Sequence, residues 1–556
     1  MHLIHPFLYG LNPRAVWHGL LVILLAASAA AVICLVRPKP GSVLRPRLVR
    51  LGAASILILL VLQFAVTAAY LVFPGYLDHA EPAIAATSWL GWQGGPLYPS
   101  FETGDVYGVV YGPILLQANG LALWLLGPSV VASKILGVGA FVSAQILAFI
   151  IFRRSGATAM EALTIAGAQC VVQSAFNEQG LSFGVRSDPL LFLASEFSVL
   201  AAISRPTNVN AALLGLAAGV AVNLKIHGAL YILPSFVFFL CQIHSKTTGV
   251  RLILVSAVTA MTISVAPFLL NNVSLSFYLQ LLQITLHQEI ERWLLEKNVV
   301  FALMSLTPIL WFYLFFAPKL PRGFGWFFTS TIVCMGITAI VGAIQGAGPH
   351  HLLPFLPSLF WAFFVVRRRA ENELTGPVGR ALLEGGTLGL IVALLFGYGP
   401  ILAISWDRTL SQFARAPLVQ IATDEINNAL DHNPGLRVAV GPGTSPGFDA
   451  MKLRVIPVFH GNPLPVDTFV WMDADLAGVS DRIVSGLLRE CRVDIWLLPV
   501  GIPFLLEGYF PGRNLFSDDV LTDFYESYDK QEGSGRVFDQ WRCTQNALIG
   551  FGDRTY

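Results

Sequence analysis

Two acidic residues begin the first long hydrophilic stretch of the chain. Asp78 and Glu81 follow an apolar run at 51–73 and stand three residues apart. Residues at this spacing share one face of a helical turn, and a carboxylate that is partly removed from water is a better proton acceptor. We therefore predict that Asp78 and Glu81 belong to a functional site. Capping of a helix N-terminus by Asp78 is the alternative interpretation.

Two basic residues near other apolar runs have the chemistry to bind an anion. Arg186 lies close to Asp188, and Lys225 follows the run 209–224. A guanidinium forms bidentate hydrogen bonds with phosphate, so we predict a phosphate site at Arg186 and Lys225. Neutralisation of Asp188 by Arg186, and extension of Lys225 to the membrane interface, are the alternatives.

Two adjacent histidines, His350 and His351, occupy a short turn between apolar runs. Adjacent histidines rarely ligate one metal ion well, so we expect them to contact an anionic head group or a sugar hydroxyl. The sequence has no CxxC or HExxH motif, and we predict neither a metal nor another cofactor. Further candidates for contact with a sugar or an acceptor are Asp105, Tyr111, Glu178, Asp188 and Arg292.

Apolar runs must position these residues. Of the 556 residues, 55% are hydrophobic and 12% are charged, whereas soluble domains carry about 25% charged residues. A membrane-spanning helix needs about 20 apolar residues. The predicted spans, about twelve, are 17–36, 51–73, 134–152, 158–175, 188–203, 209–224, 227–243, 252–270, 299–317, 325–343, 351–366 and 382–404. The fold class is therefore an all-α polytopic membrane bundle, and the net charge of +1 indicates no nucleic-acid partner.

The basic residues of this part are concentrated in alternate loops, such as those with Arg45, Arg153 and Arg368. Loops rich in Lys and Arg are cytoplasmic, which places Asp78 on the outer face of the plasma (inner) membrane. If the run 109–127 crossed the bilayer, the later basic loops would face outward. We therefore predict an interfacial helix there, and a second, amphipathic one at 277–297.

The composition becomes ordinary after Ser405. We predict a transmembrane domain at 1–405 and an extracytoplasmic α/β domain at 406–556. Buried strands at 436–443 and 493–501, with an amphipathic helix at 481–491 between them, indicate a parallel strand pair. Cys491 and Cys543 lie in this outward tail, where they either form a disulfide or stay free.

The order of these motifs along roughly residues 50–400 resembles that of a known family. An acidic pair after a span is followed by GGPLYP at 94–99, YGPILL at 111–116, RSDPLLFL at 186–193 and PHHLLPFLP at 349–357. This order resembles the GT-C superfamily of membrane glycosyltransferases. The resemblance is to the bacterial branch related to protein mannosyltransferases and the lipid A aminoarabinose transferase.

The resemblance implies transfer of a sugar from a polyprenyl phosphate to an acceptor on the outer face, with inversion at the anomeric carbon. The acceptor would be a glycan, a lipid or a protein, and no cofactor is implied. Asp78 would deprotonate the acceptor hydroxyl, with Glu81 beside it. The leaving phosphate would be held by Arg186, Lys225, His350 and His351. Other classes that fit a polytopic chain are a transporter or flippase of lipid-linked precursors, another lipid-linked transferase, and an assembly scaffold.

Overall fold

The computed structural model describes most of the chain after residue 43. The described residues are 44–101, 105–176, 182–316, 320–344, 346–373, 386–392, 394–442, 444–445, 448–502, 514–531, 533 and 535–544. The predicted span at 17–36 and the candidate residue Glu178 therefore lie outside the described residues.

Among the described residues, each apolar run predicted after residue 50 is largely helical. The helices of the first part are α1 Leu44–Val72, α2 Ala80–Trp92, α3 Pro113–Leu126, α4 Val130–Arg154, α5 Ala159–Ala175, α6 Ser187–Ala202, α7 Asn208–Leu224, α8 Ala229–Cys241, α9 Lys246–Val265, α10 Leu275–Thr285, α11 Arg292–Phe316, α12 Phe324–Val341, α13 Leu356–Glu373 and α14 Gly399–Phe413. A 3-10 helix, Pro349–Phe355, leads into α13, and a π-helical turn, Leu394–Tyr398, precedes α14.

Seven segments among the described residues are long and apolar enough to cross a membrane. They are Val49–Val72, Val130–Arg154, Lys246–Leu269, Arg292–Trp311, Phe324–Val341, Pro349–Glu373 and Gly386–Phe413. The chain is therefore a multi-pass membrane protein. The count of about twelve spans is not established, because α5, α6, α7 and α8 have 17, 16, 17 and 13 residues, fewer than the roughly 20 that a bilayer requires.

The two ends of the bundle differ in chemistry. At one end, Arg367 pairs with Glu161 at 2.5 Å, close to the basic end of α4. At the other, the buried Lys134 donates hydrogen bonds to the backbone oxygens of Tyr70 and Phe73 at 3.0 and 2.6 Å. It thereby satisfies carbonyls at the C-terminus of α1. The loop with Asp78 follows directly, so this loop and the arginine-rich loops lie at opposite ends of α4.

The predicted amphipathic helix at 277–297 is wrong as a single element. The structure has α10 and α11 there, separated by an extended stretch in which Ile290 bridges Ile344. The N–H of Glu291 donates to the carbonyl of Ala343 at 2.7 Å. The helical pattern of apolar residues continues through this stretch, but hydrogen bonds to another segment replace those within a helix. The run 109–127 contains α3, whose 14 residues are too few to span a bilayer.

The tail begins with helix α15, Ala416–His432, after α14 has passed through Ser405. Its four-stranded sheet has the order β1 Val438–Val440, β4 Ile495–Pro499, β6 Phe538–Cys543 and β5 Tyr528–Lys530. Strands β1 and β4 are parallel, with Val438 opposite Ile495, which confirms the predicted pair. The other two pairs are antiparallel and were not predicted. Cys491 and Cys543 form a disulfide.

The remaining elements of the tail are short. They are β2 Thr444–Ser445 and β3 Phe448–Asp449, the 3-10 helix Ala450–Leu453, and the α-helices α16 Val455–Phe459, α17 Thr468–Leu476, α18 Arg482–Arg489 and α19 Asp518–Ser527. Helix α18 lies between β1 and β4 in the chain, as the sequence predicts.

Candidate active site

The end of the bundle that carries Asp78 gathers charged side chains from three segments and a tyrosine from a fourth. They come from the loop between α1 and α2, the segment before α3, the start of α6 and the link between α7 and α8. The residues that meet there are Asp78, Tyr111, Arg186, Asp188 and Lys225. The sequence thus identified a set of residues that the fold brings together, although up to 147 positions separate them.

The first ion pair of the site joins Asp78 and Arg186. The carboxylate of Asp78 is 1% exposed and accepts a hydrogen bond from the Arg186 guanidinium. A second guanidinium nitrogen donates to the Tyr111 hydroxyl at 3.0 Å. On the other side of the acid, His79 Nδ1 lies 2.8 Å from Oδ1. Asp78 is therefore held between two nitrogen groups, and Arg186 between an acid and a phenol.

These neighbours reverse the expected effect of burial on Asp78. Burial by itself would raise the pKa of the carboxyl, but Arg186 and then His79 outweigh it and hold the pKa well below its usual range. The expectation that loss of water makes Asp78 more basic is therefore wrong for this arrangement. Asp78 is an ionised carboxylate, and its strength as a base depends on whether Arg186 stays paired with it.

Glu81 belongs to the structure of the loop. Its carboxylate, 0% exposed, accepts the N–H groups of Leu77 and Asp78 at 2.8 and 3.0 Å through one oxygen. The other oxygen accepts the Tyr70 hydroxyl and the N–H of Val185, the latter at 2.9 Å. Glu81 lies in the first turn of α2, where an acid also complements the helix dipole. It ties the Asp78 loop to the segment that carries Arg186.

The second ion pair joins Asp188 and Lys225. Lys225 Nζ donates to Oδ1 of Asp188 at 2.8 Å, and both side chains are nearly buried. The Arg186 Nε lies 3.6 Å from Oδ2 of Asp188, too far for a hydrogen bond. The two cations and the two acids balance in charge, and Arg186 stands between the acids.

Close backbone packing places Tyr111 over this pair. Lys225 Nζ lies 5.8 Å from the centre of the Tyr111 ring. A Cβ on the next residue, Gly112, would meet the carbonyl oxygen of Asn223 at 1.6 Å, so only glycine allows this approach. Asn223 then accepts the N–H of Ile114 at 2.8 Å through its side chain.

Three histidines border the ion pairs. The rings of His227 and His351 stack at 5.4 Å, and those of His350 and His351 are 4.6 Å apart. His227 lies in the link between α7 and α8, where burial, and then Lys225, lower its pKa to about 4. It is therefore neutral at pH 7. Tyr231 fixes this group, since its hydroxyl donates to the carbonyl of His351 at 2.9 Å and lies 3.0 Å from His227 Nε2.

Several buried polar atoms of this cluster have no hydrogen-bond partner in the part of the chain that the structure describes. They are Arg186 Nε, Ser187 Oγ, Asp188 Oδ2, His350 Nε2 and His351 Nδ1. A buried polar group without a partner costs roughly 1–3 kcal/mol, and most buried polar groups are paired. These five atoms and two buried cations give the cluster unused capacity for hydrogen bonds to a polar group.

Two of the predicted contact residues are not in the cluster. Asp105 pairs with Arg492 of the tail at 3.2 Å, and burial raises its pKa more than Arg492 lowers it. Arg292 begins α11 with a side chain that is 92% exposed and pairs with Glu296. No group of three or more His, Cys, Asp or Glu in the described ranges could hold a metal ion.

Residues that the sequence did not single out also reach the Asp78 loop. His79 contacts the acid itself, and its position between Asp78 and Glu81 was the available signal. Lys452 and Arg454 of the tail donate to backbone oxygens of the loop. They lie 375 positions away in the chain, and nothing in their local sequence points to this contact.

The fold is similar to that of two solved structures of one protein. ArnT from Cupriavidus metallidurans, in the apo state, is 12% identical over 90% of this chain and 99% of that one, with a TM-score of 0.54. The same protein bound to undecaprenyl phosphate is 13% identical over 88% and 98% of the two chains, with a TM-score of 0.51. No family model matches the sequence, and no curated protein is significantly similar to it.

Proposed function

We propose, because the chain has the GT-C fold, that it is an integral membrane glycosyltransferase. It would transfer a hexosyl or pentosyl group from a polyprenyl phosphate to a glycan, lipid or protein acceptor. In this proposal residues 1–405 form the transferase domain of the plasma (inner) membrane. Residues 406–556 form a domain on the extracytoplasmic face, on the same side as Asp78.

The observation that carries the proposal is the pairing of a buried acid with a buried cation next to unpartnered polar atoms. Arg186 contacts Asp78, and its Nε, which has no hydrogen-bond partner within the described residues, lies 3.6 Å from Asp188 Oδ2. A base and an anion-binding group are thus adjacent. Sugar transfer from a phosphate needs both at one place, because a proton leaves the acceptor while negative charge grows on the phosphate.

The roles follow from this geometry. The donor phosphate would bind at Arg186 and Lys225, with His350 and His351 as further hydrogen-bond partners. As the phosphate takes up the Arg186 guanidinium, Asp78 loses part of the charge that keeps its pKa low and becomes a better base. The acceptor oxygen would then lose its proton to Asp78 and bond to the anomeric carbon from the face opposite the departing phosphate.

The choice of donor lipid has separate support. ArnT, which shares this fold, was solved with undecaprenyl phosphate bound. A polyprenyl phosphate also suits a cluster that lies at one end of a membrane bundle, where a lipid can enter from the bilayer. We therefore propose undecaprenyl phosphate as the carrier for this chain and as the probe for binding experiments.

A deletion strain tests the proposal. We expect one sugar decoration to disappear from the surface glycans and its lipid-linked donor to accumulate. Wild-type protein should restore the decoration, whereas Asp78→Asn, expressed at the same level, should not. A transporter or flippase of lipid-linked precursors would instead leave the donor on the cytoplasmic leaflet. Accessibility of the accumulated lipid to a glycan-modifying enzyme added outside therefore separates the two functions.

A further inference from the structure

Two basic residues of the tail contact the backbone on either side of Asp78. Lys452 Nζ donates to the carbonyl oxygen of Leu77 at 2.8 Å. Arg454 Nη2 donates to that of His79 at 2.9 Å. Hydrogen bonds from charged donors are stronger than those between neutral groups. The two peptide oxygens that bracket the acid are therefore both held by the tail.

Arg454 is itself fixed in position. Its Nε and Nη2 lie 3.1 Å from the two carboxylate oxygens of Asp467, and the two residues are 4% and 0% exposed. A buried ion pair of this kind requires good geometry and several hydrogen bonds. The N–H of Asp467 continues the connection, since it donates to the carbonyl of Val106 at 2.6 Å.

The backbone N–H groups of the same loop are bound by a residue of the membrane domain. Glu81 accepts the N–H groups of Leu77 and Asp78, as described above. The loop backbone thus has its N–H groups held by one domain and its carbonyls held by the other. Such an arrangement sets the position of the Asp78 carboxylate relative to Arg186 more narrowly than either domain does alone.

We propose that Lys452 and Arg454 are positioning residues, through which the tail holds the Asp78 loop in the geometry that transfer requires. This inference rests on the proposed function. Within the described residues, the hydrogen bonds of Lys452 and Arg454 reach the loop backbone and not Arg186, Asp188 or Lys225. We therefore expect their loss to affect the acid, whose pKa the Lys452 charge also lowers, more than donor binding. A misplacement of about 1 Å can cost about 100-fold in rate.

The experiment uses the full-length protein in nanodiscs and two variants, Arg454→Gln and Lys452→Met. The matched control is Arg437→Gln. Arg437 also pairs with an aspartate, Asp494, at 3.0 Å and donates to a carbonyl, that of Cys491, at 2.7 Å. These partners all lie in the tail, so the control removes the same kind of interaction without touching the Asp78 loop.

Three measurements are made on each protein. Hydrogen exchange of a peptide covering residues 74–81 should be at least tenfold faster in both variants than in wild type, and unchanged in the control. Sugar transfer should fall by about 10- to 100-fold in kcat. Binding of undecaprenyl phosphate should stay within threefold. Lys452→Met removes a single hydrogen bond from a half-buried side chain and keeps the test valid if Arg454→Gln fails to fold.

Wild-type rates of hydrogen exchange in the loop of both variants would overturn the inference. A variant whose loop exchanges hydrogen faster but which transfers sugar as wild type does would also overturn it. Loss of undecaprenyl phosphate binding in parallel with transfer would also overturn it, because a positioning role should spare binding. If the wild-type protein transferred no sugar, the proposed function would fail. The exchange measurement would still decide whether the tail holds this loop.

Discussion

The carboxylate of Glu81 accepts the backbone N–H of Asp78 at 3.0 Å, so the two acids of this loop have different tasks. One oxygen of Glu81 accepts two backbone N–H groups, and the other accepts a hydroxyl and a third N–H. Asp78 instead faces the guanidinium of Arg186. The acid that binds four donors builds the loop, and we propose that the other one performs the chemistry.

The first prediction concerns Glu81→Gln. A glutamine keeps one acceptor oxygen and turns an N–H₂ group toward two donors, whichever way the amide is oriented. We expect the free energy of unfolding to fall by about 1–3 kcal/mol, measured by thermal unfolding of the purified protein. The control is Glu296→Gln, which removes an exposed i,i+4 pair with Arg292 and should change stability by about 0.5 kcal/mol or less. A variant with wild-type stability but no transfer would make Glu81 the base.

The second prediction concerns binding of the donor lipid. Arg186→Gln and Lys225→Met should each weaken undecaprenyl phosphate binding by about tenfold or more, because a hydrogen bond to a charged group contributes about 1.5–3 kcal/mol. Titration of labelled lipid into nanodisc-embedded protein measures this. Arg367→Gln removes a cation from the opposite end of the bundle, where it pairs with Glu161, and should bind as wild type does. Equal binding by all four proteins would exclude the proposed phosphate site.

The third prediction concerns pH and the tail. Burial raises the pKa of Asp473 to about 6, against the hydrogen bond from the amide of Gln288, whose Nε2 lies 2.6 Å from Oδ1. The folded state therefore binds this proton more tightly than the unfolded state does. The stability that the proton confers is complete below pH 4 and is lost as pH rises through about 6.

Asp473→Asn imitates the protonated form and keeps an acceptor for Gln288. We expect the variant to be more stable than wild type at pH 7.5, by on the order of 1–3 kcal/mol. At pH 4 the two proteins should unfold at the same temperature. A constant difference between the two pH values would show that titration of this carboxyl does not affect stability.

The fourth prediction concerns orientation. In a chain whose cysteines other than Cys491 and Cys543 are replaced by serine, Asp519→Cys should react with a membrane-impermeant maleimide in intact cells. Thr247→Cys should react only after the membrane is permeabilised. Both positions are exposed in the structure. A difference in their reaction with the maleimide therefore reports the side of the membrane on which each one lies. Labelling of Thr247→Cys alone in intact cells would invert the proposed topology.

The sequence predicted the helices well, because apolar runs in a bilayer leave the backbone few options other than helix. It also predicted the parallel pair of β1 and β4, whose three and five residues, respectively, are buried throughout. The sequence also grouped Asp78 with Arg186 and Lys225, because all three were predicted at the same end of the bundle. Loops that precede or follow helices at the same end of a bundle lie near one another.

Other features depend on contacts that no local pattern records. The structural role of Glu81 requires the hydroxyl of Tyr70, in the preceding helix, and the N–H of Val185, which is 104 positions away. The low pKa of Asp78 depends on the guanidinium of Arg186, 108 positions away. The break between α10 and α11 arises where Ile290 bridges Ile344, although the apolar period itself continues.

The central claim is that Asp78 accepts the proton of the acceptor, and one comparison tests it most directly. Purified wild type, Asp78→Asn and Asp494→Asn are assayed for sugar transfer from the lipid-linked donor that the deletion strain accumulates. Asp494 is also a buried aspartate paired with an arginine, Arg437, but it lies within the tail. We predict a loss of about 10²–10⁴-fold for Asp78→Asn, with undecaprenyl phosphate binding retained, and near wild-type transfer for Asp494→Asn. Near wild-type transfer by Asp78→Asn would contradict the account.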